Sequence, residues 1–345
     1  MLEDPSNYVS GARIPSGAIR CHLSSMTPRP LRVFMLGATG TIGRATVRAL
    51  IRHGHDVVCF GRTQSTIPGV TARAGNVADA NSVARDGFRG EHFDAVVSCL
   101  ASRTGTPRDA WAIDHHAHLQ ILDAAKRAGV PQMVLLSAIC VQKPQLGFQQ
   151  AKLAFEEALR HSGLTWSIVR PTAFFKSLSG QVRRVQRGKP FLVFGDGTLT
   201  SCKPISDDDL ATYLVGCLSD PARHNHVLPI GGPGAAQTPR EQGEALFALL
   251  GRPPRFTHVP VRLLDVIIAV LSTVGRVIPA LADKAHLARI GRYYATESML
   301  VWDAERGVYD ADATPSTGTD TLVDHFAYVL RGEVADDRGD HAVFT

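Results

Sequence analysis

Between residues 31 and 171, short apolar runs alternate with longer segments in which apolar residues recur every three or four positions. The runs Leu31–Leu36, Asp56–Phe60, Thr71–Ala74, Asp94–Ser98, Met133–Ser137 and Ser167–Val169 are the strand candidates. Most of the segments between them read as amphipathic helices. Strands that alternate with helices predict an α/β fold, a Rossmann-type doubly wound parallel sheet.

After Pro171 the rhythm breaks, with turns such as "FGDG", "GGPG" and "GRPP" between isolated strands. We read 31–171 as the dinucleotide-binding domain. Residues 172–331 then complete the sheet and build a smaller C-terminal substrate lobe over the carboxyl ends of its strands. The tail 332–345 lacks periodicity and reads as loose. Residues 1–30 are rich in Ser, Pro and Gly and read as a disordered extension, with Met26 as an alternative start. Arg13 and Arg20 alone give little support to a transit peptide. "VRLLDVIIAVLSTVGRVIPAL" (261–281) predicts an amphipathic helix stopped near Pro279, and a core or pocket-lining role is preferred to membrane docking. Its uncharged run, Val266–Gly275, falls well short of the roughly 20 residues a transmembrane helix needs. Loose membrane association stays open.

Composition narrows the function classes. With 345 residues, 44% hydrophobic, 20% charged and a net charge of +5, the chain is an ordinary globular protein. It has no dense Lys/Arg stripe with interleaved aromatics, so nucleic acid is not an expected partner. The six cysteines form no C-x-x-C pair, which suits a reducing compartment and argues against an iron–sulfur cluster. In "DHHAHL", His115 and His118 stand at i, i+3, but no third ligand has a matching spacing. They read as a polar helix face, and no metal site is expected. In "PISDDDLA", Ser206 reads as an N-cap and Asp207–Asp209 as first-turn acids that complement the helix dipole.

"LRVFMLGATGTIGRATVRALIRHG" is a strand, a glycine turn and a helix. Gly37 permits the tight turn, Gly40 lets backbone approach a pyrophosphate, and Gly43 lets the helix pack on the sheet. Thr39, Thr41 and Ile42 complete the phosphate cradle at the helix N-terminus. The second strand ends "VVCFGRTQ", without the acid that would hold a ribose 2′-hydroxyl. Arg62 stands there instead, and its planar fork suits a 2′-phosphate, so NADPH is the expected cofactor. Asn76 and Val77 after the third strand, and Leu100 and Ala101 after the fourth, are expected to line the cofactor groove.

Ser137 ends the fifth strand, and Lys152 lies on the next helix. In short-chain dehydrogenases a Tyr-x-x-x-Lys pair occupies this place; here the residues are Phe148 and Lys152. Phe148 cannot protonate a developing alkoxide, which disfavours ketone reduction. Lys152 is assigned to hold the nicotinamide ribose, with Ser137 and Pro171 beside the cofactor. Phe148, Phe174 and Phe175 are expected to supply flat apolar walls for substrate.

The strings "SCLASRTG", "VLLSAICVQKPQLGFQQAKLAFE", "SIVRPTAFFKSLSGQV", "FGDGTLTSCKPISDDDLA", "VLPIGGPGAAQTPREQGE" and "GRYYATESMLV" resemble the NADPH-dependent divinyl chlorophyllide 8-vinyl reductases, atypical short-chain dehydrogenases. The resemblance implies reduction of the 8-vinyl group of a magnesium tetrapyrrole to ethyl, in chlorophyll or bacteriochlorophyll synthesis. A vinyl group conjugated to a macrocycle has no carbonyl oxygen to protonate, which accounts for the missing tyrosine. Lys143, Lys176 and water stay open as proton donors. An NADPH-sensing regulator of the same fold is the alternative, followed by a double-bond reductase of small phenolic or isoprenoid substrates. The expected location is the cytoplasm of a phototrophic bacterium, peripheral to its photosynthetic membranes, in preference to a plastid. Oligomeric state leaves no signal in the sequence.

Overall fold

The computed structural model describes residues 29–63 and 67–334. The expectations for residues 1–28 and for 335–345 lie outside that range. The first half of the chain runs β1 (Arg32–Leu36), α1 (Thr41–Arg52), β2 (Asp56–Gly61), β3 (Thr71–Ala74), α2 (Ala80–Ser82), β4 (Ala95–Ser98), α3 (Pro107–Ala110), α4 (His118–Arg127), β5 (Gln132–Leu136), α5 (Gly147–Arg160) and β6 (Thr165–Pro171). The second half runs α6 (Phe175–Leu178), α7 (Val182–Gln186), β7 (Phe191–Phe194), α8 (Asp207–Gly216), β8 (His226–Ile230), α9 (Pro239–Leu249), β9 (Phe256–Val259), α10 (Val261–Val274), α11 (Pro279–Thr296), β10 (Val301–Asp303), β11 (Val308–Asp310) and α12 (Leu322–Arg331).

Seven strands form one sheet in the order β3-β2-β1-β4-β5-β6-β8, all parallel. Alternate residues of each strand face opposite layers. Val33 and Met35 point with Val57 and Val97 to a core closed by Ala45, Val47 and Leu50 of α1 and by Leu210 and Leu214 of α8. Phe34 and Leu36 point the other way, with Val58 and Met133, into a core closed by Ile121 of α4 and by Phe155 and Leu159 of α5. Two covered faces explain why the strand sequences read as continuous apolar runs. The strand order turns back at β1/β4, and this opens a crevice at the carboxyl ends of the strands where ligands bind in such folds.

The second half of the chain contributes β8 to the sheet and α8 to its α1 face. Elements α6, α7, β7, α9, β9 and α12 build a lobe with its own core around Phe175, Val182, Phe191, Leu246 and Phe326. Ser206 caps α8 as the sequence predicts, its Oγ accepting from Asp209 N at 3.0 Å.

The segment 261–281 departs from its predicted role. It is a helical hairpin, α10 against α11, and of α10's residues only Leu264 is buried. Leu263, Val266, Ile267, Val270, Val274, Val277 and Ile278 are exposed, Val277 to 83%. Spacings of three and four residues put them on one side of the helix line. The apolar side faces outward because α11 takes the opposite side. No helix among the described residues is long and apolar enough to cross a membrane.

Candidate active site

The glycine turn between β1 and α1 shows which of its glycines the protein itself requires. Gly37 has φ +74°, and a side chain there would meet Cys99 C and O at 2.5 Å. A Cβ on Gly43 would lie 2.0 Å from Gly37 O. Gly40 is different, because its nearest neighbour, Gly37 O, stands at an ordinary 3.5 Å. The space over Gly40 is therefore not taken up by packing, and it is the space a pyrophosphate needs to lie against backbone. Gly40 is also the N-cap of α1 and makes no side-chain cap, which leaves the first-turn amides of Thr41, Ile42 and Gly43 to serve an anion. Thr39 is exposed at the lip of the turn.

Lys176, on α6, adds a cation to this cradle: its Nζ donates to Thr41 Oγ1 at 3.0 Å. Asp207, at the start of α8, is half-buried with no hydrogen-bond partner for Oδ1. Burial pushes its carboxyl up to about 6, against the pull of the Lys176 charge.

Arg62 stands exposed just past the end of β2. Asn76 follows β3, where its amide N donates to Ser82 Oγ at 2.9 Å and its Oδ1 accepts from Ala78 N at 3.0 Å. Val77 beside it is buried. Leu100, half-buried, and Ala101, exposed, follow β4, with Leu100 N donating to Ser98 Oγ at 3.3 Å. These residues border the crevice at the ends of β2, β3 and β4.

Lys152 is held on α5 by an ion pair that the sequence did not indicate. Its Nζ donates to Asp114 Oδ1 at 2.9 Å, and the Asp114 side chain is 1% exposed. Burial alone would raise the Asp114 carboxyl. The Lys152 charge and the hydrogen bonds from the Ser102 and Lys152 side chains outweigh that and hold it below the ordinary range. Asp114 sits within "DHHAHL", on a π-turn spanning Trp111–Ala117 that interrupts the helix leading into α4. An acid in the helix after the fourth strand was visible in the sequence; its burial was not. His118, from the same string, is buried instead of lying on a polar face. Its Nδ1 donates to Ile113 O at 2.8 Å, so Nε2 accepts from Ser98 Oγ at 2.9 Å. Burial pushes its imidazole down to about 4, leaving it neutral.

Ser137 turns its hydroxyl inward, donating to Glu156 Oε1 at 2.5 Å, while Glu156 also pairs with Arg170. This buried triad ties β5, α5 and β6 together below the crevice, and Pro171 ends β6 as a buried residue. Phe148 packs with Ala110, Ile139, Cys140 and Tyr293. Phe174 is half-buried at the mouth of α6, whereas Phe175 is turned into the core of the lobe with its ring 5.4 Å from His325. The glycine turn and Leu100 thus lie at the carboxyl ends of β1 and β4, Lys152 is anchored on α5 to Asp114, Phe148 is buried in the cluster with Tyr293, and Phe175 is turned away into the core of the lobe. Lys143 is drawn off to Glu297, 2.8 Å away, under the Trp302 ring.

A sequence profile of NAD(P)H-binding proteins matches residues 37–221, the glycine turn through α8. Divinyl chlorophyllide a 8-vinyl-reductase, chloroplastic, of Oryza sativa subsp. indica is 47% identical over 349 residues, covering 96% of this chain and 86% of the rice protein. The chain belongs to the divinyl chlorophyllide a 8-vinyl-reductase family. The Arabidopsis thaliana protein of the same name is 46% identical, covering 90% of this chain and 79% of its own length. Among solved structures, the NADPH-dependent quinone oxidoreductase QOR2 of Escherichia coli superposes with a TM-score of 0.60 at 17% identity, over 86% of this chain and 99% of that one. That likeness concerns the fold alone, a parallel dinucleotide-binding sheet. As a vinyl-reductase relative with an NAD(P)H-binding domain, the chain is an oxidoreductase that uses a nicotinamide dinucleotide. The expected bacterial cytoplasm is corrected: both plant relatives are named chloroplastic, which points to a plastid.

Proposed function

We propose that this chain reduces the 8-vinyl group of a 3,8-divinyl magnesium tetrapyrrole, divinyl chlorophyllide or its protochlorophyllide precursor, to ethyl, with NADPH in preference to NADH. The observation that carries this reading is the 47% identity to a protein of that name across both halves of the chain, substrate lobe included. The bound dinucleotide supplies a hydride. The residues of the chain then have the following roles. The Gly37–Gly43 turn and the α1 N-terminus hold the pyrophosphate, with Lys176 as a supporting cation. Arg62 takes the 2′-phosphate, and Asn76, Val77, Leu100 and Ala101 line the groove. Lys152, fixed by Asp114, holds the nicotinamide ribose, with Pro171 and the Ser137 backbone beside it. Phe148 and Phe174 face the macrocycle.

Residues 31–171 serve as the dinucleotide domain and 172–331 as the substrate lobe with the end of the sheet. The protein works in a plastid, loosely held on a membrane by the α10 stripe. That stripe is bordered by exposed Arg262 and Arg276, and the one acid of α10, Asp265, is paired with Arg292. Apolar surface rimmed by cations suits an anionic bilayer. Following cofactor oxidation with divinyl and with monovinyl pigment tests the reading. NADPH consumed only with the divinyl pigment supports it; NADPH bound but never consumed contradicts it.

A further inference from the structure

The crevice of a vinyl reductase needs a proton as well as a hydride, and α5 offers Phe148 where related enzymes carry a phenol. The cations around the site are engaged. Lys152 pairs with Asp114, Lys143 with Glu297, and Lys176 with Thr41. A phenol on α11, Tyr294, lies against the turn that follows β5.

The second half of α11 lies over the carboxyl ends of β4 and β5. A side chain on Gly105, in the loop after β4, would meet Ile290 Cδ1 at 3.0 Å. Tyr293 donates to Cys140 O at 3.0 Å and to Lys143 O at 3.1 Å, clamping the helix onto the turn Ile139–Gln142 that follows β5. The clamp fixes the neighbouring Tyr294. The residue is 44% exposed, yet its hydroxyl reaches the Cys140 thiol at 3.8 Å. Cys140 is buried and lies within electrostatic reach of Lys152. The nearby phenols differ in their partners. Tyr309 gives its proton to Glu297 Oε2 at 2.7 Å and Tyr293 to two carbonyls. Of these three phenols, Tyr294 is the one whose hydroxyl meets only a thiol, a weak acceptor. Burial of its hydroxyl end, next to Cys140 and Tyr293, keeps the phenol well above its ordinary value and therefore protonated.

Resting on the vinyl-reductase reading, we propose that Tyr294 is the proton donor of the reaction, supplied by the substrate lobe in place of the tyrosine missing from α5. Hydride addition to one vinyl carbon leaves an electron pair shared between the other carbon and the ring. The Tyr294 O–H bond breaks and a C–H bond forms at that second carbon. The phenolate oxygen regains a proton from water once product leaves the crevice, so one hydride and one proton convert C=C to CH–CH.

The test is Tyr294→Phe beside the wild-type protein, with NADPH affinity, melting temperature, turnover and two isotope effects read on each. The expected result is unchanged NADPH affinity and melting temperature, with turnover reduced on the order of a hundredfold or more. The solvent deuterium effect on turnover rises, and the effect of deuterated cofactor shrinks, because protonation has become the slow step. Turnover kept within about threefold overturns the proposal, on the general acid–base scale above. So does a loss matched by an equal loss of NADPH affinity, which would make Tyr294 a structural residue. If the wild-type protein itself fails to convert divinyl pigment, the vinyl-reductase reading has failed and this proposal falls with it.

Discussion

Lys152 Nζ sits 2.9 Å from a carboxylate, Asp114 Oδ1, that is almost wholly shielded from water. The pair explains how a lysine can keep its place on α5 when the tyrosine four residues before it has become Phe148. Removing the acid leaves a mostly buried ammonium without a counter-charge. Asp114→Ala is expected to lower stability by on the order of 3 kcal/mol and to weaken NADPH binding about tenfold, ~1.4 kcal/mol. Thermal melts and NADPH titration check both. Lys152→Ala should weaken NADPH as well, and full turnover at saturating NADPH in that variant would refute the anchoring role.

Arg62 and Lys176 are both cations at the cofactor crevice, and they should differ in what they recognise. Arg62→Asp is expected to weaken NADPH about a hundredfold, ~2.7 kcal/mol, while leaving NADH nearly unchanged. Lys176→Met should weaken both cofactors by a similar factor, because the pyrophosphate is common to both. Equal losses in the Arg62 variant would remove the basis for NADPH preference.

His118 makes a prediction about acid. Its imidazole is pushed from 6.5 to about 4 by burial, so the folded protein refuses a proton that the unfolded chain accepts. The stability it contributes is fully present above pH 6.5 and is lost as pH falls toward about 4, up to about 3 kcal/mol in all. His118→Gln should flatten that part of the stability profile. His55, His115, His286 and His325, also lowered by burial, leave a residual slope. Denaturant midpoints between pH 4 and 7.5 decide it; parallel profiles for the two proteins would refute the assignment.

The α10 stripe should hold the protein on anionic vesicles. Replacing Val266 and Val270 by Glu is expected to cut the bound fraction more than tenfold, since burying each valine in lipid contributes at least about 1 kcal/mol. NADPH affinity should not change, because neither residue borders the crevice. If the wild-type protein ignores vesicles and forms a dimer that the double variant abolishes, the stripe is a protein interface instead.

Much of this architecture could be read from the chain, for identifiable reasons. The inner strands β1, β2, β4 and β5 announce themselves because a sheet covered on both faces needs apolar residues along most of each strand, as Val33 through Leu36 show, whereas edge strand β3, TARA, was marked only by its place in the alternation. The strand β8 escaped notice: it is an edge strand, partly exposed, and Pro229 interrupts its pattern. The role of Asp114 was hidden because its partner lies 38 residues away, and nothing local separates a buried acid from a solvated one. Periodicity gives α10 an apolar face but cannot say whether protein or solvent will meet it. Phe174 and Phe175 are adjacent aromatics in sequence, yet the turn into α6 sends them to different places. Location left no trace in the residues that fold; the pointer to a plastid comes from the names of the plant relatives.

The most direct measurement is incubation of the purified protein with 3,8-divinyl chlorophyllide and NADPH, with NADH in parallel, followed by chromatography of the pigment. The account predicts conversion to the 8-ethyl product with NADPH and little or none with NADH. Unconverted pigment in the presence of tightly bound NADPH would contradict it.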